Sequence, residues 1–399
     1  MANGLFLFPA KTGRVRVCRG KEKGERSDEE ILELIDRMIL EDLREEGLSL
    51  SQKTGLRQRL FHSVRKLDVL QDLLDDNSVT EIMVNGPDHI FVEQDGKVRR
   101  WNRSFTSMEK LEDVIQQIVG RCNRIVNEAS PIVDARLENG ARVNVVIAPV
   151  ALNGPILTIR RFSDRPITME KLLQLGSLTR ECAEFLKKLV QARYSILIGG
   201  GTGSGKTTFL GALSEYIPKD ERIITIEDNA ELRLQGIENL VRLEAKAANL
   251  EGGRDITIRD LIKSALRMRP DRILVGEVRA EEAIDMLQAL NTGHEGSLTT
   301  AHANSTKDML SRLETMVLMG MDLPLEAIRR QIASGLDILV HLGRMRDRSR
   351  KVLEITEVLG YENGEVRLGR LYQWEEEQGL VKVGELVHTE KLSRAGISR

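Results

Sequence analysis

Residues Ser195–Leu210 read SILIGGGTGSGKTTFL, and the rest of the chain is best read outward from them. A short apolar run enters a segment stripped of almost every large side chain. A helical stripe of Phe209, Leu210, Leu213, Tyr216 and Ile217 leaves it. Gly200-x-x-x-x-Gly205-Lys206-Thr207 fits the phosphate-loop pattern, in the strand-to-helix setting that its mechanism needs. Glycines permit backbone angles closed to other residues, so amide NH groups can approach phosphate oxygens at the positive end of a helix. The pattern assigns Gly200, Gly201, Thr202, Gly203, Ser204, Gly205, Lys206, Thr207 and Thr208 to the cradle, with Lys206 on the β- and γ-phosphates and the Thr207 hydroxyl on Mg²⁺.

Downstream, RIITIED, RILVGE, SLTTAH and DILVHL are short apolar runs separated by helical segments. That alternation predicts an α/β domain with a parallel sheet covered by helices on both faces. In such sheets the carboxyl ends of the strands face the ligand crevice. Glu227 and Asp228 close RIITIED, and Glu277 closes RILVGE. Glu277 is therefore the candidate to orient and activate an attacking water, and Glu227 and Asp228 are candidates for the metal and water shell, with Glu277 also a candidate metal ligand. Two of the chain's 6 histidines, His294 and His302, lie in TGHEGSLTTAHANS among small and hydroxyl residues. Their spacing is no zinc signature, and the polar, glycine-flanked setting points to sensing of a nucleotide.

Upstream, residues 1–27 form a basic arm, with seven Lys or Arg against two Glu up to Arg26. Ser27 and Glu30 make a capping box for a helical unit spanning 28–75. From Thr80 the apolar period becomes strand-like (EIMVNG, then HIFVEQDGKVRRW with a turn at Asp95-Gly96), so 76–162 reads as a small α/β domain. A proline-containing linker, 163–168, separates it from the second α/β domain, 169–399. Composition narrows the partners. A net charge of -2 gives no global attraction to nucleic acid, and 4% aromatic residues offer no stacking track. The 3 cysteines are too scattered for a disulfide framework or zinc module. No apolar run reaches the ~18 residues of a membrane span, so work at a membrane would be done from outside the bilayer, with a reducing cytosol as the natural compartment.

GGTGSGKTT, ITIEDNAEL, LRMRPDRILVGEVR and NTGHEGSLTTAHANS, in that order, closely resemble the Walker A motif, aspartate box, Walker B region and histidine box of the type II/type IV secretion ATPases. Within that superfamily the likeness, over about residues 28–375, is to the CpaF-type ATPases of tight-adherence (Flp) pili. The resemblance implies a RecA-like ATP-hydrolysing motor, assembled as a homohexamer on the cytoplasmic face of the inner membrane against platform proteins of a pilus or secretion machine. It further implies that arginines of the preceding domain reach the terminal phosphates of ATP. The matching residues are Arg136 and Arg142 in DARLENGARVN, with Arg160 and Arg161 in LTIRRF as additions. Arg279 matches the family's GE[VI]R and would couple the Glu277 strand to a neighbouring subunit. The cysteine-rich zinc module of some type II export ATPases is absent.

Other readings are a transfer ATPase of a type IV secretion channel, a small-molecule kinase, a DNA motor and a non-catalytic scaffold. A kinase would need an acceptor pocket and lid that the sequence does not announce. The basic segment Arg344–Lys351 is read as a solvated hairpin, since it has no interleaved aromatic residue, and no direct nucleic-acid contact is expected.

Overall fold

The computed structural model describes residues 27–42, 49–94, 96–137, 139–161, 166–246 and 254–398. The basic arm up to Arg26, Asp95 and the linker residues 163–165 lie outside them. The chain divides into two compact units, Met1–Phe162 and Ser163–Arg399.

The first unit begins with α1 (Asp28–Asp42), α2 (Leu50–Arg65) and α3 (Val69–Asp75). At the start of α1 the Glu30 amide donates to Ser27 Oγ at 3.2 Å and the Ser27 amide to Glu30 Oε2 at 2.9 Å, the reciprocal capping that the sequence announces. There follow β1 (Val79–Asn85), β2 (Ile90–Gln94), β3 (Lys97–Arg100), α4 (Met108–Arg121), β4 (Ile132–Arg136), β5 (Arg142–Val146) and β6 (Ile156–Arg160). They make a six-stranded antiparallel sheet in the order β3-β2-β1-β6-β5-β4. Period-2 burial puts Ile82 opposite Ile159 and Val84 opposite Leu157, all fully buried. Each such side chain stabilises the fold by about 1.5–3 kcal/mol. Leu67, Leu70 and Leu73 lie in this same core with Leu111, Ile115 and Ile118 of α4. The last helix of the 28–75 segment therefore contributes to the core of the sheet.

The second unit contains α5 (Met169–Gln174), α6 (Arg180–Gln191), β7 (Ile196–Gly200), α7 (Lys206–Ser214), β8 (Ile223–Glu227), β9 (Leu240–Glu244), α8 (Ile258–Ala265), β10 (Arg272–Val278) and α9 (Glu282–Asn291). It continues with β11 (Leu298–His302), α10 (Thr306–Gly320), α11 (Leu325–Gly335), β12 (Ile338–Arg344), β13 (Arg350–Glu362), β14 (Glu365–Glu375), β15 (Gly379–Lys382) and α12 (Glu390–Arg394). Its sheet runs β15-β14-β13-β12-β7-β11-β10-β8-β9. From β12 to β9 the strands are parallel, and β13 to β15 extend the sheet as an antiparallel meander. The reading anticipates the parallel strands and the hairpin at Arg344–Lys351, but not β14 and β15.

Parallel strands covered on both faces need continuous apolar runs, and Ile196, Leu197 and Ile198 are all fully buried. Ile196 and Ile198 pack with Leu210 and Leu213 of α7 and Leu186 of α6, whereas Leu197 packs on the other face with Met309 and Leu313 of α10. Gly199 is small for a packing reason: a Cβ there would lie 2.2 Å from Met309 Cε. Among the described residues no helix is long and apolar enough to cross a membrane.

Candidate active site

The loop between β7 and α7 is built by local constraint. Gly203 and Gly205 sit at φ of 72° and 91°, and Gly205 is the left-handed residue immediately before the helix. A Cβ on Gly200 would meet Ser204 Oγ at 2.5 Å and the Leu342 carbonyl oxygen at 2.6 Å, so only glycine lets the loop fold back over its own strand. Lys206, the first residue of α7, is 8% exposed. Its Nζ lies 3.3 Å from the Gly201 carbonyl oxygen, 3.4 Å from His302 Nδ1 and 3.6 Å from Glu277 Oε1. Burial draws its pKa below the ordinary lysine value, and the Glu277 carboxylate opposes that shift. Ser204 Oγ is buried with no hydrogen-bond partner. A nearly buried ammonium with only long contacts, beside turned-up glycines and an orphaned hydroxyl, suits a polyanionic ligand. Thr207, half-buried and adjacent to Lys206, is placed to offer a hydroxyl to a metal ion held by that ligand.

The parallel register brings the strand ends together. β11 and β7 pair Ala301 with Gly199 and His302 with Gly200, while β10 and β11 pair Val278 with Ala301. Glu277 is consequently flanked by basic side chains: His302 Nε2 lies 2.9 Å from its Oε1, and Arg279 Nε donates to its Oε2 at 2.6 Å. Arg279 Nη1 continues to Asp228 Oδ2 at 3.2 Å, and the Arg279 amide donates to Glu282 Oε1 at 2.7 Å. Burial, followed by the neighbouring Lys206 charge, lowers the His302 pKa. The ring therefore presents Nε2 to Glu277 and Nδ1 to Lys206.

Three of the candidate residues, Glu227, His294 and Arg161, have partners away from the phosphate loop. Glu227 is 2% exposed, and its Oε2 accepts the Glu231 and Leu232 amides at 2.7 and 2.8 Å. Burial raises its pKa to about 7. Through Oε2 it holds the turn after β8, lying so tightly over β10 that a Cβ on Gly276 would meet its Cγ at 2.9 Å, while its Oε1 is buried without a hydrogen-bond partner. Among the described residues no group of three or more His, Cys, Asp or Glu is arranged to hold a metal. His294 precedes β11, with Nδ1 3.2 Å from the Ala289 carbonyl oxygen, at the opposite edge of the sheet from His302. One strand length, ~13 Å at ~3.3 Å per residue, separates the two edges. Arg161 donates to the Asp76 carbonyl at 2.5 Å and to Asn77 Oδ1 at 2.9 Å, tying down the turn before β1.

The other three candidate arginines of the first unit, Arg136, Arg142 and Arg160, form a row. Cross-strand pairing sets Arg136 opposite Arg142 and Arg142 opposite Arg160, with Glu81 opposite Arg160 on the far side. Directly opposed residues share a face, and like charges so placed repel unless an anion lies near them.

One residue that touches the loop escaped the sequence reading. Arg350, an exposed residue of the hairpin, donates from Nε to the Gly203 carbonyl at 2.9 Å. Only the return of β13 alongside the loop brings it there, and no local pattern announces that.

A glycine loop between the central strand and its helix, with the acidic end of β10 reached across the intervening β11, defines the RecA-like class of phosphate-loop proteins. The chain belongs to the type II/IV secretion system ATPase family: the family described as "Type II/IV secretion system protein" matches residues 64–391. A putative conjugal transfer protein of Mycobacterium tuberculosis is 35% identical over 333 residues, which is 82% of this chain and 93% of that protein. The type IV secretion system protein VirB11 of Brucella suis is 35% identical over 303 residues, covering 69% of this chain and 84% of its own. In fold the chain resembles the ATPase DotB of Yersinia pseudotuberculosis, with a TM-score of 0.54 and 17% identity over 76% of this chain and 80% of that one.

Proposed function

We propose that this protein is an ATP-hydrolysing motor of a type IV secretion or pilus machine, and that Glu277 is its general base. The observation that carries the reading is the seating of Glu277 between Lys206 of the phosphate loop, His302 and Arg279. Lys206 would exchange the Gly201 carbonyl for the β- and γ-phosphates of ATP. Glu277, relieved of that ammonium, would accept a proton from a water. The water oxygen attacks the γ-phosphorus as the bond to the β-phosphate oxygen breaks, and ADP and phosphate leave. Neutral His302 and Arg279 keep the carboxylate aimed throughout. The Thr207 hydroxyl would be a ligand for Mg²⁺, which would supply charge neutralisation to the phosphates. Arg136 and Arg142, with Arg160 beside them, would add guanidinium charge to the terminal phosphates, a role that suits their planar fork.

Work would be done by a ring, proposed as a homohexamer peripheral to the cytoplasmic face of the inner membrane and engaging a membrane platform. The names of the relatives, a conjugal transfer protein and VirB11, favour a channel that transfers DNA or protein. The four ordered motifs that resemble those of Flp-pilus ATPases support pilus assembly as a second reading, and the platform recovered from membranes by pull-down separates the two.

Glu277→Gln tests the chemistry. It should bind ATP as the parent does, yet lose about 10²–10⁴-fold in single-turnover hydrolysis. Undiminished cleavage would remove Glu277 from the scheme. Parent protein that cleaves ATP with no phosphoryl acceptor present counts against a kinase.

A further inference from the structure

Hairpin β12–β13 does more than turn the chain. Arg350 bonds the carbonyl of Gly203, which stands at φ 72° in the phosphate loop. Its aliphatic stem covers Gly205, where an added Cβ would meet Arg350 Cδ at 3.2 Å. The next two residues make this contact a brace. Lys351 Nζ donates to the Gly176 carbonyl at 2.6 Å, and the Val352 amide donates to the Ser177 carbonyl at 2.8 Å. Lys351 also sits 5.7 Å from the centroid of the Trp374 ring. The hairpin is thereby fixed to the segment following α5 while its first residue rests on the loop. From within, Lys206 Nζ reaches the Gly201 carbonyl at 3.3 Å. Two cations on different elements thus hold two carbonyls of one loop.

A phosphate loop works by turning successive amide NH groups toward the anion, which obliges neighbouring carbonyls to face away. A carbonyl bonded to a charged donor resists rotating back, and charge-assisted bonds are the stronger kind. We propose that Arg350 is a positioning residue for nucleotide binding: it pins the Gly203 carbonyl outward and so keeps the loop amides presented to the phosphates. The proposal rests on the reading of this loop as a nucleotide site. Arg350 acts through Gly203 and not on the reacting atoms, so its loss should weaken affinity and leave the chemical step nearly intact.

The test uses the full chain with ATP, following calorimetric Kd, steady-state KM and kcat, and hydrogen exchange of the amides of residues 199–206. Arg350→Met keeps the stem over Gly205 and removes the donors; Arg350→Ala removes both. Both should raise Kd and KM about tenfold, the scale of one charge-assisted hydrogen bond, with kcat within about twofold. Loop amides should exchange faster, and Arg350→Lys should recover most of the affinity. Parent-like Kd and parent-like loop exchange in Arg350→Met would overturn the proposal, as would equal losses in kcat and kcat/KM together with a lowered Tm, the mark of a merely structural residue. Lys206→Ala is the reference. Retained ATP binding in that variant would instead remove the nucleotide-site reading, whatever Arg350 does.

Discussion

The two edges of the nine-stranded sheet are built from the same residue types and use them in opposite ways. At the amino-terminal edge, fully buried Arg272 donates to both Glu221 oxygens at 2.5 and 2.9 Å and to the carbonyls of Val190 and Gly296 at 2.7 and 3.2 Å. At the carboxyl-terminal edge, Lys206 makes contacts of 3.3, 3.4 and 3.6 Å, and Glu277 is shared among Lys206, Arg279 and the His302 ring. The first set is saturated and locked. In the second, Arg279 grips Glu277 closely but Lys206 is loosely held, and that difference separates charge that supports the fold from charge able to change partners.

The sharpest way to break the comparison is to unpair the saturated edge. Arg272→Met leaves Glu221 buried without its partner and should cost about 3–5 kcal/mol in urea unfolding. Arg272→Met with Glu221→Leu should recover most of that loss. ATP affinity of the folded fraction should be unchanged in both variants. A selective loss of nucleotide binding would mean that the two edges are not separate in role.

Glu227 sharpens the contrast further, since it sits at the catalytic edge yet behaves as a buried structural acid. Its folded pKa, about 7, lies above its unfolded value of 4.5. The folded state therefore holds this proton more tightly, and the group's contribution to stability falls as pH rises from 4.5 through 7, then stays level. Glu227→Gln removes that loss while keeping an acceptor for the Glu231 and Leu232 amides. Its stability relative to the parent should improve by about 3 kcal/mol between pH 4.5 and pH 8, measured by unfolding across that range. A pH-independent difference would assign Glu227 an ionised role after all.

The smallest effects compare the two histidines. His302→Gln, which loses the ring on Glu277 and Lys206, should lower kcat about tenfold, whereas His294→Gln, at the far edge, should change it less than about twofold. Reversed magnitudes in ATPase assays would exchange their places in the scheme.

Much of this was legible along the chain because it is local. The glycine spacing dictates the loop, alternation of apolar runs and helices dictates a covered parallel sheet, and the acid after an apolar strand marks Glu277. Less was legible where neighbours in sequence diverge in space. His294 and His302 belong to one motif, but the strand between them carries them to opposite edges. Glu227 and Asp228 are consecutive, yet the pleat turns one into the core and the other toward Arg279. Arg160 and Arg161 part for the same reason, one into the arginine row and one onto the turn before β1.

By itself the sequence determined the parallel strands, the phosphate loop and most of the chemical types gathered near it, since these depend on spacings within a few residues. Only the tertiary structure decided which charges are satisfied and which stay available. That follows from strand order and register, which place Arg279 on Glu277, Arg272 on Glu221 and Arg350 on Gly203 across 2, 51 and 147 residues of chain. Hydrogen-bond reach is set by distance in space, and beyond a few residues sequence separation carries almost no information about it.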